Sequence, residues 1–239
     1  MRLSPAFLAL WLSGCAWLGS SHADAVLLGE QHDAASHRAA QLQWVERLAK
    51  SHTLAALAME MAEQGTTTAH LPANADEAQV RAALKWNTAG WPWETYGPVV
   101  MAAVRAGVPV LGANLARDRM RPAMQDASLD TLLSPAALQA QRQAIRDGHC
   151  GLLPETQIAP MTRVQIARDR AMAQTLAAAA QRGRTVLLVA GAGHVDPSLG
   201  VPLHLPGTLA VRSVTLPAQP PARNYCEEMR RQMAPANPS

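Results

Sequence analysis

The chain has 239 residues, of which 49% are hydrophobic and 16% charged, so it can bury the core of one or two domains and wholesale disorder is excluded. Its formal net charge is +3 and no block of like charges occurs, so nucleic-acid binding receives little support. The three cysteines form neither a CxxC pair nor a CxxCH motif, which excludes cysteine-clustered zinc and c-type haem attachment.

Residues 1–15 have the pattern of an export signal. Arg2 is followed by an apolar stretch from Leu3 to Leu12, which is too short to span a bilayer core of about 30 Å but is typical of a signal peptide. The stretch runs into the order Leu-Ser-Gly-Cys ending at Cys15, which resembles a bacterial lipobox. In such signals the cysteine is diacylated and becomes the first residue of the mature protein. We therefore expect a lipoprotein with Cys15 as its lipidation site.

Two alternatives remain for this segment. Cleavage after Ala23, at an A-x-A-like site, would give a soluble periplasmic protein, and an ordinary buried helix is the other reading. In the lipoprotein reading, Ala16 takes the position where an aspartate would favour retention in the inner membrane. The pattern then favours an outer-membrane lipoprotein facing the periplasm, with 16–24 as a short linker.

Export would place the other two cysteines in an oxidising compartment. Once Cys15 is lipidated, Cys150 and Cys226 form the leftover pair. A disulfide between them would tie the C-terminal tail to the region of residue 150. Two free thiols are the alternative.

Continuous apolar runs alternate with helical segments along the rest of the chain. Runs without polar alternation predict strands buried on both faces, as in parallel sheets covered by helices. We therefore predict one α/β domain over 25–216, with a mostly parallel central sheet and helices on both faces. A helical insertion or cap is predicted within 64–85 and 117–160, and a loose proline-rich tail over 217–239. Strands are predicted at 24–28, 54–59, 108–112, 185–190 and 210–215, helices at 35–50, 77–85, 99–105, 135–147 and 162–182, and a loop at 87–98.

Carboxylates and imidazoles stand where predicted strands end. The first strand leads to Glu30 and His32, the second to Glu60, the third to Asn114 and the fourth to His194. Ligands bind outside the carboxyl ends of the strands in an open parallel sheet, so these groups should share one edge. A carboxylate buried without a partner is costly, and each needs a cation, an arginine or a metal. Singly, each residue also fits a structural role.

An aromatic segment is the second candidate feature. Trp86, Trp91, Trp93 and Tyr96 fall within one short stretch. They could pack as a small core under a long loop, or form an aromatic wall for a flat apolar ligand. Haem iron accepts histidine or tyrosine as an axial ligand, which makes Tyr96 and the histidines candidates.

Three polar residues lie on one face of the predicted 162–182 helix, at a spacing near i, i+3, i+4. These are Gln165, Arg168 and Asp169. They could hold Glu30 or Glu60, or face solvent. His37 follows His32 by five positions, which is not the spacing of a helical zinc motif, and it is placed behind the site or at the start of a helix.

Taken in order, several motifs resemble those of the ChaN-like haem-binding lipoproteins, within the Tiki/ChaN and erythromycin-esterase-like grouping. The resemblance covers about 25–205. It implies an α/β fold, a membrane lipoprotein and a role in haem or iron acquisition. Members of the wider grouping include metal-dependent peptidases and metal-independent esterases, with a Glu/His set at this strand edge. The motifs lie at 28–33 with His37, 59–61, 90–98, 113–114, 165–173, 190–195 and 200–202.

Three hypotheses follow from the residues and the resemblance. The first is a haem-binding lipoprotein that holds haem at the aromatic mouth, either in one subunit or between the two of a homodimer. The second is a hydrolase with or without a divalent metal. A surface lipoprotein that binds only other proteins is the third. The candidate haem-binding residues are Tyr96, His194, His32, His37, Trp91, Trp93 and Arg168, the last to pair the propionates, and the candidate catalytic or metal-binding residues are Glu30, His32, Glu60 and His194.

Overall fold

A five-stranded, wholly parallel sheet forms the centre of the protein, with the strand order β3-β2-β4-β1-β5. The structure is a computed structural model and describes residues 22–233. The strands are β1 (Ala25–Glu30), β2 (Leu54–Glu63), β3 (Val110–Asn114), β4 (Thr185–Gly191) and β5 (Val211–Thr215), and the helices are α1 (Ala35–Lys50), α2 (Glu77–Ala83), α3 (Trp93–Arg105), α4 (Arg117–Gln125), α5 (Pro135–Gly148), α6 (Glu155–Ala179) and α7 (Tyr225–Met233).

Helices bury both faces of this sheet, as the continuous apolar runs predicted. Side chains alternate between the faces along a strand, and Leu28 packs into the core on the side of α1 and α3. Its neighbour Leu27 packs into the core on the side of α6. Both residues are fully buried. The predicted α/β class with helices on both faces is confirmed.

The two strands that carry the candidate carboxylates are longer than predicted. β1 continues to Glu30, which pairs in register with Gly191 of β4. β2 continues to Glu63, where it pairs with Asn114 of β3 after a register shift. Glu30 is therefore a paired strand residue. Glu60 lies within β2 at the register shift between Met59 and Glu63, so neither carboxylate lies in the loop that follows its strand.

Two helices begin earlier than predicted. The expected loop at 87–98 is wrong from Trp93 onward, because Pro92, with its fixed φ, starts α3 there. Gly97 leaves room for the Trp93 indole, since a Cβ at this position would lie 2.6 Å from the indole nitrogen. α6 begins at Glu155 and accommodates Pro160 near its first turn at the cost of one helical hydrogen bond.

Within the described residues, 217–233 are not the loose tail that the prolines suggested, and 234–239 lie outside the described residues. The described part includes α7, and Cys226 in that helix is bonded to Cys150 with an S–S distance of 1.98 Å. The tail also hydrogen-bonds to the loop that follows β1. The proline content could not predict these contacts, because they join residues that lie far apart in the sequence.

Among residues 22–233, no helix is long and apolar enough to cross a membrane. The predicted signal segment, with its lipidation site at Cys15, lies outside the described residues.

Candidate functional site

Glu30 ends β1 on the side of α1 and α3, and those helices supply its partners. The Tyr96 hydroxyl of α3 donates a hydrogen bond of 2.7 Å to Oε1 of Glu30. The Gln41 amide of α1 donates to Oε2. Glu30 is 4% exposed and the two donors are fully buried. The carboxylate therefore exchanges its water for two fixed donors, as a buried charge requires.

Glu60 points to the opposite face of the sheet. Its Oε2 accepts a hydrogen bond of 2.7 Å from the Gly191 backbone N–H, and its Oε1 lies 3.3 Å from Nε2 of His194. Nδ1 of His194 lies 2.6 Å from Oδ1 of Asp169 on α6. Gln165, one turn earlier on α6, lies 3.1 Å from the same ring nitrogen. One imidazole is thus held between two carboxylates.

His32 joins the two networks at the edge of the sheet. Its Nδ1 lies 2.8 Å from Oε1 of Glu30, and its Nε2 lies 3.9 Å from Oε2 of Glu60. A Cβ on Gly191 would stand 3.0 Å from that Nε2, so a larger residue at the end of β4 would press against the His32 ring. The His32 side chain is 42% exposed, and its ring meets the Trp91 ring edge-on at 4.9 Å.

The Glu60–His194–Asp169 group carries shifted pKa values. Burial works against a charged imidazole, but the charge of Glu60 and the hydrogen bond to Asp169 outweigh it and raise the pKa of His194 to about 10. Burial also opposes ionisation of Glu60, yet His194, His32 and the Gly191 N–H lower its pKa to about 2. Burial prevails at Asp169, whose Oδ2 has no partner, and raises its pKa to about 6. His194 is therefore an imidazolium at neutral pH.

The Glu30 side of the site is tuned differently. Burial and the charge of Glu30 raise the pKa of Tyr96, so its hydroxyl keeps its proton and remains a donor. Partial burial opposes the charged form of His32, but the hydrogen bond to Glu30 and the charge of Glu60 together raise its pKa. The exposed ring consequently holds a proton more tightly than a histidine in water.

Two other candidates from the sequence lie behind the site. His37 is buried, its Nδ1 accepts the Gln31 backbone N–H at 3.0 Å and its Nε2 lies 2.9 Å from the Pro217 carbonyl. Both ring nitrogens are used, so this ring supports the loop around His32. Trp93 is buried too, and its indole N–H donates to Glu77 at 2.7 Å. Neither residue faces the edge where His32 lies.

A cavity of about 310 Å³ opens beside Glu60 at the ends of β2 and β3. Three cationic side chains line it, and none of them forms an ion pair with a residue in 22–233. Two buried atoms in its wall, Oδ1 of Asn114 and Nε of Arg168, have no hydrogen-bond partner. The three cations and the free Nε of Arg168 suit an anionic ligand, whereas Oδ1 of Asn114 is an acceptor and needs a donor. The polar and aromatic lining includes the carboxylates Glu60 and Glu63 together with Lys85, Trp91, Asn114, Arg117 and Arg168.

In the described part of the chain, no group of three or more histidine, cysteine, aspartate or glutamate residues is arranged to hold a metal ion. The side chains of Glu60 and His194 face each other at 3.3 Å, and Nδ1 of His194 lies 2.6 Å from Asp169, so these groups are paired with one another.

Sequence reasoning missed Gln41, Lys85 and Arg117. A signal for Gln41 was present, because it precedes the buried Val45 by four positions and thus lies on the buried face of α1. A glutamine on such a face needs a polar partner. Lys85 and Arg117 offered no comparable signal, since each follows a different element and they meet only through the fold.

The fold and site define a class of protein: a parallel α/β domain with a carboxylate–imidazole network at the carboxyl edge of its sheet and an open ligand surface beside it. A sequence model of the family described as haem-binding uptake, Tiki superfamily, ChaN matches residues 17–205. That span is most of the chain, and the protein belongs to this family.

One solved structure supports the same fold. It is described as cofacial heme binding to ChaN of Campylobacter jejuni, and it superimposes with a TM-score of 0.66. The two sequences are 24% identical, and the match covers 82% of each chain. No curated protein matches the sequence significantly.

The charge state of His194 predicts how stability varies with pH. Its folded pKa of about 10 lies above the ordinary value of 6.5, so the stabilisation is complete below pH 6.5 and is lost as the pH rises toward 10. We expect the free energy of unfolding, from urea titrations, to fall by on the order of 2 kcal/mol between pH 7 and pH 10. His194→Gln should flatten this dependence. A variant with the same slope as the wild type would contradict the assignment.

Proposed function

We propose that the protein binds haem at the carboxyl edge of its sheet and serves in haem or iron uptake. The observation that carries the proposal is His32: its Nδ1 is held by Glu30, while its Nε2 forms no hydrogen bond to a residue in 22–233 and the ring is exposed. A histidine that ligates a metal usually donates its other ring N–H to a carboxylate in this way. Family membership supports the same ligand.

The other candidate iron ligands are engaged. The hydroxyl of Tyr96 is buried and donates to Glu30, and both ring nitrogens of His194 face carboxylates. Using either would mean breaking a buried charge-assisted hydrogen bond, which costs more than a neutral one. His32 is therefore our assigned iron ligand, and Tyr96 and Gln41 act on it by fixing Glu30.

The cationic cavity next to His32 would take the haem propionates. Haem supplies an iron ion and two carboxylates when bound. Arg117, Arg168 and Lys85 line the cavity without ion-pair partners in the described residues, and arginine suits carboxylates because its guanidinium can donate two parallel hydrogen bonds. Trp91 lines the cavity and also contacts His32, so it would lie against the apolar macrocycle.

A homodimer with haem between two subunits belongs to the same proposal. The His32 side chain is 42% exposed and Trp91 is half-buried. A second subunit would cover this surface together with the exposed side of the macrocycle, which a single subunit leaves in water.

A haemin titration tests the iron ligand. We expect a saturable change in the Soret band of the wild type, with a dissociation constant at least about tenfold higher in His32→Ala. Affinity should rise with pH across the neutral range, because His32 must lose its proton to bind iron and its pKa is raised. His70→Ala removes an exposed histidine elsewhere and should leave the titration unchanged. Equal affinities for the wild type and His32→Ala would rule out this ligand.

The propionate assignment is tested with haemin and its dimethyl ester. We expect the wild type to prefer haemin roughly tenfold, because the ester lacks the two negative charges. Arg117→Ala with Arg168→Ala should abolish the preference while leaving ester binding intact. Arg121→Ala, an exposed arginine on the same helix as Arg117, is the matched control. A preference that survives in the double variant would place the propionates elsewhere.

A hydrolase is the second candidate, and the contact between Glu30 and His32 favours it. A carboxylate that orients an imidazole with a free Nε2 is the arrangement of a general base toward water. We expect any hydrolysis of an ester and peptide panel to drop about 100-fold in Glu30→Gln. The metal content of the same samples separates metal-dependent from metal-free chemistry. Activity unchanged in Glu30→Gln would exclude this mechanism.

We further propose that the protein is an outer-membrane lipoprotein facing the periplasm, with a soluble periplasmic form as the alternative. The Leu-Ser-Gly-Cys order at Cys15 supports acylation there, and several acyl chains hold a protein durably at a membrane. We expect the wild type to fractionate with outer membranes and Cys15→Ser to become soluble or to remain unprocessed. Intact mass spectrometry would show the acyl groups. An unmodified wild type in the soluble fraction would support the alternative.

A further inference from the structure

We propose that residues 216–226 form a C-terminal strap that positions His32 for ligand binding, with the Cys150–Cys226 disulfide holding the strap closed. The inference rests on the proposed function for the ligand, although its structural part is independent of it. The strap lies outside the span of 17–205 that the family model matches.

The strap contacts the His32 loop, residues 29–37, on both sides of His32. Before it, the Leu216 N–H donates to the Gly29 carbonyl at 2.9 Å. After it, the Ala222 N–H donates to Oδ2 of Asp33 at 2.7 Å. These two contacts fix the ends of a short stretch that has His32 in its middle.

Two further contacts link the strap to Gln31 and to His37. The Gln219 N–H donates to the side-chain oxygen of Gln31 at 3.1 Å, and the Pro217 carbonyl accepts from Nε2 of His37 at 2.9 Å. Gln31 and His37 are also hydrogen-bonded to each other, because Nδ1 of His37 accepts the Gln31 backbone N–H. His37 thus connects the strap to the backbone N–H of Gln31, the residue before His32.

The disulfide explains how exposed hydrogen bonds can hold this loop. Most of the strap is exposed, and a single hydrogen bond open to water contributes only about 1 kcal/mol. Cys226 is covalently tied to Cys150 in the turn between α5 and α6, so the strap cannot diffuse away when its contacts open. Closing a tether in advance lowers the entropic cost of re-forming the contacts.

Removing the tether is the first test, made on the purified full chain with two measurements. In Cys150→Ser/Cys226→Ser we expect backbone amides of 29–37 to exchange hydrogen for deuterium at least about tenfold faster, and the dissociation constant for haemin to rise about tenfold. Amides in the centre of α6 should keep their wild-type protection, which separates loosening of the loop from general destabilisation.

Two substitutions of Asp33, one to alanine and one to asparagine, test a single contact of the strap. Asp33→Ala removes the acceptors for the Ala222 N–H and for the Gln31 side-chain amide, and it should reproduce both effects of the open tether. Asp33→Asn keeps a side-chain oxygen at that place and should restore wild-type exchange and affinity. Failure of the asparagine variant to differ from the alanine variant would overturn the role of this contact.

His37 allows the two bonds of one ring to be separated. His37→Asn keeps an acceptor near Nδ1 and loses the bond to Pro217, while His37→Gln keeps a donor near Nε2 and loses the bond to Gln31. We expect His37→Asn to weaken haemin binding as much as Cys150→Ser/Cys226→Ser does. The triple variant that combines these three substitutions should bind haemin no more weakly than Cys150→Ser/Cys226→Ser. Additive losses would show that the two act independently and would overturn the proposal.

The outcomes separate the strap from the proposed function. Unchanged exchange in 29–37 after the tether is cut overturns the strap, whatever haemin does. Faster exchange with unchanged haemin affinity overturns its role in positioning His32. If the wild type binds no haemin, the proposed function fails, and with it the ligand part of the inference, while the exchange result alone decides whether the strap holds the loop.

Discussion

Compensation of buried charge at the end of a parallel sheet is the constraint on which this protein depends. Glu30 and Glu60 are each almost fully removed from water, and neither has a lysine or arginine as its partner in the described residues. Their charges are met instead by an imidazolium, a backbone N–H, a phenol and an amide. Tyr96 comes from α3, Gln41 from α1, and Gly191 and His194 from the end of β4 and the turn after it, so the site depends on how these elements pack together.

The pairing of the buried carboxylates determines which side chain at the edge of the sheet remains available to a ligand. His194 is committed to Glu60 and Asp169, and its raised pKa keeps it charged. Tyr96 is likewise committed to Glu30. Of the histidines described at this edge of the sheet, His32, at the rim between the two carboxylates, combines a fixed Nδ1 with solvent access. The buried groups thus determine the position and basicity of the one imidazole that can meet a ligand.

Much of this could be predicted from the sequence, and the misses have a common cause. The continuous apolar runs indicate a buried parallel sheet, and its topology brings Glu30, Glu60 and His194 to one edge. Local pattern did not reveal that Tyr96 would be buried, since Pro92 turned an expected loop into a helix. The cationic cavity and the docked tail depend on contacts between residues far apart in the chain, such as Pro217 with His37, and no periodicity encodes those.

β1 and β2, which lie on either side of β4, send their carboxylates to opposite faces of the sheet, with Glu30 toward α1 and α3 and Glu60 toward α6. The partners of each carboxylate therefore belong to a different core of the domain. Substitutions between α1 and α3 can retune the orientation of His32 through Glu30 while His194 stays between Glu60 and Asp169. Substitutions beneath α6 also reach His32, because the charge of Glu60 helps to raise its pKa. The two halves of the site thus belong to different cores, and His32 responds to both.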